Sequence, residues 1–591
     1  MTYFFSSSRF FSPQKPRIHL RERILVGQRP RCLTTHQPLK LSLSNTIKRS
    51  MKEGLISDVA PFEMEYKVVH LNSNSPWQID FKIKADPVLH LGLCLPKSCS
   101  NEEVFNITRR SIGNGLIEDF KLLEFRPEVF RVKDLKLNGY YFTRTSLLLF
   151  VALTSLTLFM YYLSQKGLKS SIIQSFNLRK HLESLFSYKE SSEASIPVIN
   201  GYKTILCSSF VIAHVLFFSY FTINNKGSFL STLETSAFQV LAQTPVLVEG
   251  FFVISAFLSC KNFLSNEKLI EEIRKASLLG CISKYLRVIL YRYFRLVPLY
   301  LVVMLITDFT TAYSNEVSPF FLEERYDEVC PKFWWRNVLL IQNWFPYEEI
   351  CMNGLGPQPA ICSFSCLKRS IGKLLIAFAY IFSIIWFAMV ALKLHYAFSV
   401  DIRTRTIIPI YMSSFYRFAP YFCGTVAAWI LHEHKNLLTE MSPKVEKQLW
   451  NLSYICFLGI IFMEMDRSLS TIPTILIAVL GHHSNSLFVC WILLASATGK
   501  KVWWTEILEK PVFQPFCKLS YGIYLINSVL ASFIFSLSEN STNFDIPLMV
   551  FISSGCLLIT YILSILFHIL YEAPYLKVSK ILFDDKVKKV C

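Results

Sequence analysis

Long runs of apolar residues alternate with polar, charged segments along most of the chain. A helix needs about 20 apolar residues to cross the roughly 30 Å hydrocarbon core of a bilayer. Several blocks approach that length once flanking residues are included, so we predict an all-α polytopic membrane bundle of about ten or eleven helices. The blocks are residues 146–163, 205–221, 246–260, 296–307, 374–392, 418–431, 449–463, 487–497, 520–535 and 546–570.

Residues 1–140 have a different, mixed pattern, with strand-like alternation over 62–69 and 77–84. This pattern predicts a small soluble domain, followed by a tethering helix (145–163), a linker (164–200), the main bundle (201–575) and a basic tail (576–591). The start of the chain lacks the continuous apolar core of a signal peptide. Either the first span acts as a signal anchor, or the true start of the domain is missing.

Composition supports the membrane assignment and excludes disorder. Of 591 residues, 52% are hydrophobic and 18% charged, which is too apolar for a disordered chain. The net charge of +18 would fit a nucleic-acid partner in a soluble protein. In a polytopic protein such an excess marks cytoplasmic loops, so we expect membrane lipids and no nucleic acid as partners.

The loop charges predict an orientation. Loops 164–202 and 261–287 and the C-terminal tail are rich in Lys and Arg, whereas 222–245 and 536–545 carry almost none. The positive-inside rule places the first group in the cytoplasm and the second, with the N-terminal domain, in the lumen or outside. An odd number of crossings is then required, but ten blocks are visible. The assignments from the two ends collide between residues 351 and 392, where we expect one span to be missing.

Cysteines and sequons agree with that orientation. Cys32, Cys94 and Cys99 lie in the N-terminal domain, and one long loop contains Cys330, Cys351, Cys362 and Cys366, as expected in an oxidising compartment. The sequons at Asn106 and Asn540 fall in lumenal segments, whereas the sequon at Asn451 lies at the cytoplasmic start of a span.

The stretch from Cys94 to Glu103 contains the first specific motif. Its two cysteines are five residues apart, and Ser100 followed by Glu103 is typical of a helix N-terminus. We interpret it as a helix start tethered by a Cys94–Cys99 disulfide, with an ordinary extracellular cysteine loop as the alternative.

Four ionisable residues in or next to the spans have two interpretations each. His214, inside an apolar run, is either a satisfied core histidine or a functional group facing a cavity; an imidazole suits a general base. Arg292 and Arg295 share a helix face and either anchor the span or clamp a phosphate. Glu249 either binds an acceptor at the lumenal rim or orients His214.

Together these motifs resemble nose-resistant-to-fluoxetine proteins, in which an N-terminal domain precedes an integral-membrane acyltransferase-3 domain. The resemblance covers about residues 30–580, and Lys203, Ala256 and Asn527 stand where that family often has Arg, Gly and His. The matching strings are Gly201–Lys203 with His214, residues 248–258, Arg292–Pro298, the loop with Trp334, Trp335 and Trp344, residues 417–421, 519–525 and 572–574.

The resemblance implies transfer of an acyl group from cytoplasmic acyl-CoA to a hydroxyl on a lumenal or extracellular acceptor. In that scheme His214 is the general base, Glu249 orients it, and Arg292 and Arg295 hold the donor. No bound cofactor is expected. The rival interpretation is a non-enzymatic carrier of lipids or small hydrophobic ligands. Either protein would lie in the plasma membrane or endoplasmic reticulum.

Two further expectations concern particular segments. His482-His483 and His432-x-His434 lack additional ligands at binding spacing, so we predict no metal site and interpret them as solvated loop residues. The disulfide candidates are Cys94, Cys99, Cys330 and Cys351.

Residues 353–366 do not match the W-x-x-A-x-D-[ML]-Q string that the resemblance implies at this place. A shifted reading frame permits codons for that string, so we predict a reading-frame error there. Cys362 and Cys366 would then be artefacts.

Overall fold

The structure is a computed structural model, and it describes most of the chain. All structural statements below concern the described residues. These are residues 24–25, 29–34, 45–52, 62–74, 88–113, 126–135, 143–188, 196–321, 325–346, 349–352, 369–397, 417–462 and 469–587.

The N-terminal domain is built on one four-stranded sheet. Its strands are β1 (Ile24–Leu25), β2 (Met64–Asn74), β3 (Val88–Pro96) and β4 (Arg126–Asp134). The spatial order is β1-β3-β2-β4, with β2 antiparallel to both β3 and β4. The predicted strand at 62–69 corresponds to β2, and the one at 77–84 lies outside the described residues.

Three helices accompany the sheet: a short one at Arg29–Thr34, α1 (Asn45–Lys52) and α2 (Asn101–Gly113). The predicted helix start at Ser100 is present. The Ser100 backbone N–H donates to the Glu103 carboxylate at 2.8 Å, and the Glu103 N–H donates to the Ser100 hydroxyl at 3.3 Å. This capping box satisfies two backbone donors at the exposed end of α2.

The expected Cys94–Cys99 disulfide is wrong. Cys94 is bonded to Cys32, with 5.6 Å between the Cα atoms, and Cys99 is a free thiol. Cys94 and Cys32 pack with Tyr66 in one cluster, whereas Cys99 packs beneath α2 in another. Because the two cysteines face different clusters, their five-residue spacing does not bring the sulfurs together.

The remainder of the described chain is almost entirely helical. Its helices of eight or more residues are α3 (Thr145–Gln165), α4 (Leu178–Phe186), α5 (Val198–Ser219), α6 (Lys226–Leu233), α7 (Glu249–Leu264), α8 (Glu267–Lys275), α9 (Leu278–Val317), α10 (Tyr326–Val338), α11 (Arg369–Lys393), α12 (Phe418–Glu433), α13 (Pro443–Phe462), α14 (Thr471–Ala497), α15 (Ser520–Ser536), α16 (Ile546–Phe567) and α17 (Ala573–Val587). Short helices at Gln239–Ala242, Thr244–Leu247, Trp503–Leu508 and Phe513–Lys518 connect them.

Each predicted apolar block lies wholly or mainly in a helix, as expected of a helical multi-pass membrane protein. The helices long and apolar enough to cross a membrane are Thr145–Gln165, Val198–Ser219, Thr244–Leu264, Leu279–Val317, Thr471–Ala497 and Ile546–Phe583. Two shorter apolar helices are Ala377–Lys393 and Ser520–Ser536. The helix α14 begins well before the predicted block at 487, because polar residues within it interrupt the apolar pattern.

The N-terminal domain and two loops meet at one end of the bundle. The loop after α5 pairs with the loop between α15 and α16 through a β-bridge from Ile223 to Thr542. Arg29 of the domain lies 4.0 Å from Glu539 in the latter loop. We call this the domain end. The segments that loop charge assigned to one side of the membrane therefore lie together.

The opposite end carries the basic linker and tail, and we call it the basic end. Lys518, just before α15, donates to the backbone carbonyls of Ser184 and Leu185 in α4. Phe176 of the linker packs on Tyr575 of α17, with ring centroids 5.6 Å apart. Linker and tail thus share one end, as the charges predict.

Contacts along α9 and α15 show that these helices run in the same direction. The Tyr521 hydroxyl at the start of α15 donates to the Leu296 carbonyl, and at the other end Ser314 and Ser536 share a hydrogen bond of 2.7 Å. Since α15 starts beside Lys518 at the basic end, α9 also ends at the domain end.

The helix α11 runs antiparallel to α14. Tyr380 packs against His483, whereas Ala391 further along α11 clusters with Ile475 near the start of α14. Soon after α14, Leu508 lies against the first turn of α5, so α14 ends at the basic end. The helices α9 and α11 are therefore parallel.

Residues 353–368, between α10 and α11, lie outside the described residues, and so do Cys362, Cys366 and the predicted reading-frame error.

Candidate functional site

His214 and Asn527 form a polar pair between α5 and α15. The imidazole Nδ1 is hydrogen-bonded to the Asn527 side-chain oxygen. Asn527 is almost completely buried, with 1% of its surface exposed. The helices α5 and α15 pack closely along their length through buried apolar side chains. This packing holds His214 and Asn527 next to each other.

The hydrogen bonds of Asn527 determine which nitrogen of His214 carries the proton. The Asn527 amide nitrogen donates to the backbone carbonyls of Ile523 at 2.7 Å and Tyr524 at 2.9 Å. Its oxygen, which can only accept, therefore faces His214. The Nδ1 atom must be the donor, and in the neutral ring Nε2 keeps its lone pair. A positioned, unprotonated imidazole nitrogen is what a general base requires.

Aromatic rings surround this imidazole. The Phe210 ring centroid is 4.1 Å from that of His214, and Phe218 lies 6.1 Å away on the next turn. Phe210 in turn stacks on Tyr524 of α15 at 5.5 Å. These rings limit the directions from which a ligand can approach, and they leave His214 half-buried rather than sealed.

Glu249 contacts His482 rather than His214. It is 2% exposed, inside the bundle rather than at a rim, and its carboxylate lies 2.9 Å from His482 Nδ1 on α14. The orientation of His214 comes from Asn527 instead. Glu249 and His482 form a second pair, in which a buried carboxylate meets an imidazole that can carry positive charge.

The interpretation of His482-His483 as solvated loop residues is wrong. Both lie in the middle of α14 and are half-buried. His483 Nδ1 is bonded to the Val479 carbonyl at 2.7 Å, so this histidine also has its proton on Nδ1. A cavity of about 20 Å³ adjoins both rings and is bordered by Ser383 and Ser486. That volume accommodates one water molecule.

The two arginines of the predicted donor site differ in their surroundings. Arg292 donates from its guanidinium to the Ser259 hydroxyl at 2.6 Å, which ties α9 to α7. Arg295 is exposed and lies within electrostatic reach of Tyr521 in the first turn of α15. Arg295 is therefore the more available of the two for an anionic ligand.

Lys203 adds a third cation to this part of the basic end. It lies within electrostatic reach of Cys517, at the turn that leads into α15. The N-terminus of α15 also presents the positive end of the helix dipole. Positive charges from α5, α9 and the N-terminus of α15 thus lie close together where α15 begins, on the basic-end side of the His214–Asn527 pair.

The tryptophan loop enters the domain-end half of the bundle. Cys330 and Cys351, both disulfide candidates, are bonded to each other. Asn337 donates to the Tyr300 hydroxyl of α9 and to the Met352 carbonyl, each at 2.8 Å. Trp334, Trp335 and Trp344 are exposed, a position compatible with both an interfacial aromatic belt and an acceptor surface.

Comparisons with known proteins match the N-terminal domain most specifically. Residues 20–108 match the family model "Nose resistant-to-fluoxetine protein, N-terminal domain". Over 567 residues the chain is 20% identical to "Nose resistant to fluoxetine protein 6" of Caenorhabditis elegans, covering 85% of this chain and 67% of the relative. No solved structure matches the chain.

These matches agree with the family resemblance seen in the motifs. The matched N-terminal residues contain the Cys32–Cys94 disulfide and most of the sheet. The weaker similarity extends into the helical bundle that contains His214 and Asn527. The chain is thus similar to nose-resistant-to-fluoxetine proteins in both regions.

In the sequence, Asn527 is visible only as a departure from the resemblance, and its contact with His214 was not predicted. The contact between His482 and Glu249 was not predicted either. In each pair the members are more than 200 residues apart in the chain. The available signal was the rarity of polar side chains in apolar blocks, which marks candidates but does not pair them.

Proposed function

We propose that the protein is an integral-membrane O-acyltransferase that moves an acyl group from acyl-CoA at the basic end to a hydroxyl acceptor at the domain end. The observation that supports this most is the His214–Asn527 pair. It presents a neutral imidazole with a free Nε2 lone pair inside a membrane bundle.

The arrangement along α15 supports a route for the donor. Arg295 and Lys203 lie near its first turn, where they can bind the phosphates of coenzyme A. Asn527 is six residues beyond Tyr521, which is about 9 Å along a helix axis. The flexible pantetheine arm of coenzyme A can span that distance and bring the thioester toward His214.

The chemistry assigned to His214 is proton transfer. Nε2 accepts the proton of the acceptor hydroxyl as its oxygen attacks the acyl carbon of the thioester. An ester bond forms, the bond from that carbon to the coenzyme A sulfur breaks, and the proton passes from Nε2 to the leaving thiolate. Asn527 holds the Nδ1 proton throughout, so the ring needs no reorientation between the two steps.

Glu249 and His482 contribute charge rather than proton transfer in this scheme. Their contact joins α7 to α14 and fixes a polar centre in the apolar interior. Membrane lipids surround the bundle, and acyl-CoA acts as a co-substrate rather than as a bound cofactor.

The test uses purified full-length protein with acyl-CoA labelled in the acyl group, in one short-chain and one long-chain form. An acyltransferase consumes acyl-CoA and releases the label as an ester or, with water as acceptor, as free acid. Movement of a labelled lipid across vesicles without acyl-CoA consumption would instead support the carrier interpretation and contradict the proposal.

A further inference from the structure

The N-terminal domain is docked on the bundle through four residues that follow α9. Residues 318–321, the docking segment, lie against the sheet of the domain. Phe320 is 1% exposed and packs against His90 of β3. Phe321 packs against His70 of β2 and Phe130 of β4, with ring centroids 5.8 and 5.7 Å apart. Three strands of the domain therefore contact the docking segment.

The polar contacts of this interface come from titratable groups. His70 Nε2 donates to the Pro319 carbonyl at 3.4 Å, and Lys133 donates to the Ser318 carbonyl at 2.6 Å. His90 Nε2 accepts from the Phe321 backbone N–H at 2.8 Å. An additional proton on His90 would occupy the lone pair that accepts this bond. The docked geometry thus requires His90 to be unprotonated at Nε2.

His70 cannot gain a proton easily either. It is fully buried, at 0% exposure, and its Nδ1 atom has no hydrogen-bond partner among the described residues. A second proton would place an unpaired positive charge beside Lys133 and Arg131. Burial first, and then these two cations, lower the pKa of His70 to about 3.

Other charges face the interface from both sides. Burial, and then the charge of Arg131, lower the pKa of Lys133 to about 7. From the bundle, Glu316 at the end of α9 and Asp327 of α10 partly offset this positive charge, whereas Arg325 adds to it. Glu328 of α10 acts on Arg131 in the same sense as Asp327.

We propose that this interface is a pH-dependent switch, in which the N-terminal domain is docked on the bundle at neutral pH and released on acidification. The proposal rests on the interface contacts and is independent of acyl transfer. It concerns the pH of whichever compartment holds the domain end.

The direction of the pH dependence of docking follows from proton binding to His70. An undocked His70 titrates near its ordinary pKa of 6.5, whereas the docked one is neutral until about pH 3. Docking is therefore favoured above pH 6.5 and weakens as the pH falls through that range, by about tenfold per pH unit for one proton. As the pH falls from 10.5, the ordinary pKa of a lysine, to about 7, protonation of Lys133 in the undocked state weakens docking. Below about pH 7 Lys133 is protonated in both states, so it contributes no further change.

The test is hydrogen exchange of the full-length protein in detergent, measured on the peptide that contains residues 318–321 between pH 7.5 and 4.5. After correction for intrinsic exchange, the protection factor of this peptide reports the docking equilibrium. We expect a loss of about 100-fold from His70 alone between pH 6.5 and 4.5, a larger loss where His90 also takes up a proton, and recovery when the pH is returned to 7.5.

Variants of the two histidines show which of them causes the loss of protection on acidification. His70→Gln keeps a donor at the Nε2 position and His90→Gln keeps an acceptor, but neither titrates. We expect a shallower pH dependence in His70→Gln, a nearly flat one in the double variant, and wild-type behaviour in His434→Gln, an exposed control beyond α12.

A wild-type protection factor that stays constant down to pH 4.5 overturns the proposal, whatever the variants do. So does a His70→Gln variant with the full wild-type slope. If the double variant is undocked even at pH 7.5, the comparison between wild type and His70→Gln decides.

Discussion

Two histidines inside the bundle have partners of different charge, and the difference separates their roles. His214 meets the amide oxygen of Asn527, whereas His482 meets the carboxylate of Glu249. The amide accepts the Nδ1 proton without adding charge, so the imidazole stays neutral and keeps a basic nitrogen. The carboxylate brings a negative charge, and with it the imidazole forms an ion pair once protonated.

The chemistry open to each histidine therefore depends on its hydrogen-bond partner as well as on the imidazole itself. A general base must be unprotonated before the reaction and must not be held as a cation. The His214 pair meets that condition and lies beyond the basic cluster at the start of α15. The His482 pair instead resembles a structural ion pair that joins α7 to α14 in an apolar surrounding.

The largest expected effect comes from His214→Ala. Removal of a general base costs on the order of 10²- to 10⁴-fold in rate, while insertion and glycosylation stay unchanged. The measurement is turnover of labelled acyl-CoA by purified protein. His482→Gln is the matched control and should keep most of the turnover. Full turnover in a normally inserted His214→Ala protein would exclude the catalytic assignment. Equal losses of turnover in His214→Ala and His482→Gln would show that the two histidines do not differ in role.

Asn527→Leu should lower turnover by on the order of 10- to 100-fold, because a buried Nδ1–H without an acceptor costs about 1–3 kcal/mol and the tautomer is no longer fixed. The loss should appear in kcat, with the KM for acyl-CoA nearly constant. Unchanged kcat in Asn527→Leu would show that the tautomer of His214 does not matter for the reaction.

Arg295→Ala should raise the KM for acyl-CoA about tenfold, because one charge-assisted contact to a phosphate is lost. Acceptor dependence should change little. Arg287→Ala, on the same helix and about two turns closer to its start, is the matched control. Equal KM values in wild type and Arg295→Ala, with correct insertion of both, would count against the phosphate clamp.

The smallest effect concerns orientation. Asn106, Asn540 and Asn451 are all exposed in the structure, so accessibility does not distinguish their sequons. We expect glycan on Asn106 and Asn540 and none on Asn451, and therefore no mobility shift for Asn451→Gln in a gel. Glycosidase-sensitive modification of Asn451 would reverse the orientation of the bundle.

The sequence predicted local features well and distant pairings poorly. The capping box at Ser100 and the apolar helices depend on residues close in the chain, and both are present. The Cys32–Cys94 bond depends on how a helix packs on a sheet, so spacing alone indicated the wrong partner for Cys94. The partners of His214 and Glu249 required the helix order of the bundle, which apolar periodicity does not encode.

Loop charges indicate a missing crossing between residues 351 and 392, and this stays a prediction because residues 353–368 lie outside the described part of the chain. The predicted reading-frame error at 353–366 remains a prediction. Transcript sequencing that confirms the written frame would end it, and a corrected chain should be used for the activity assays if it does not.

The central claim is that an acyl group passes from the basic end to the domain end through the His214 site. The most direct measurement uses sealed vesicles of known protein orientation, with acyl-labelled acyl-CoA supplied on one side at a time. We expect acyl-CoA consumption only when it is on the side opposite the glycans, and loss of that consumption in His214→Ala. Consumption from the glycan side, or none from either side, would contradict the account.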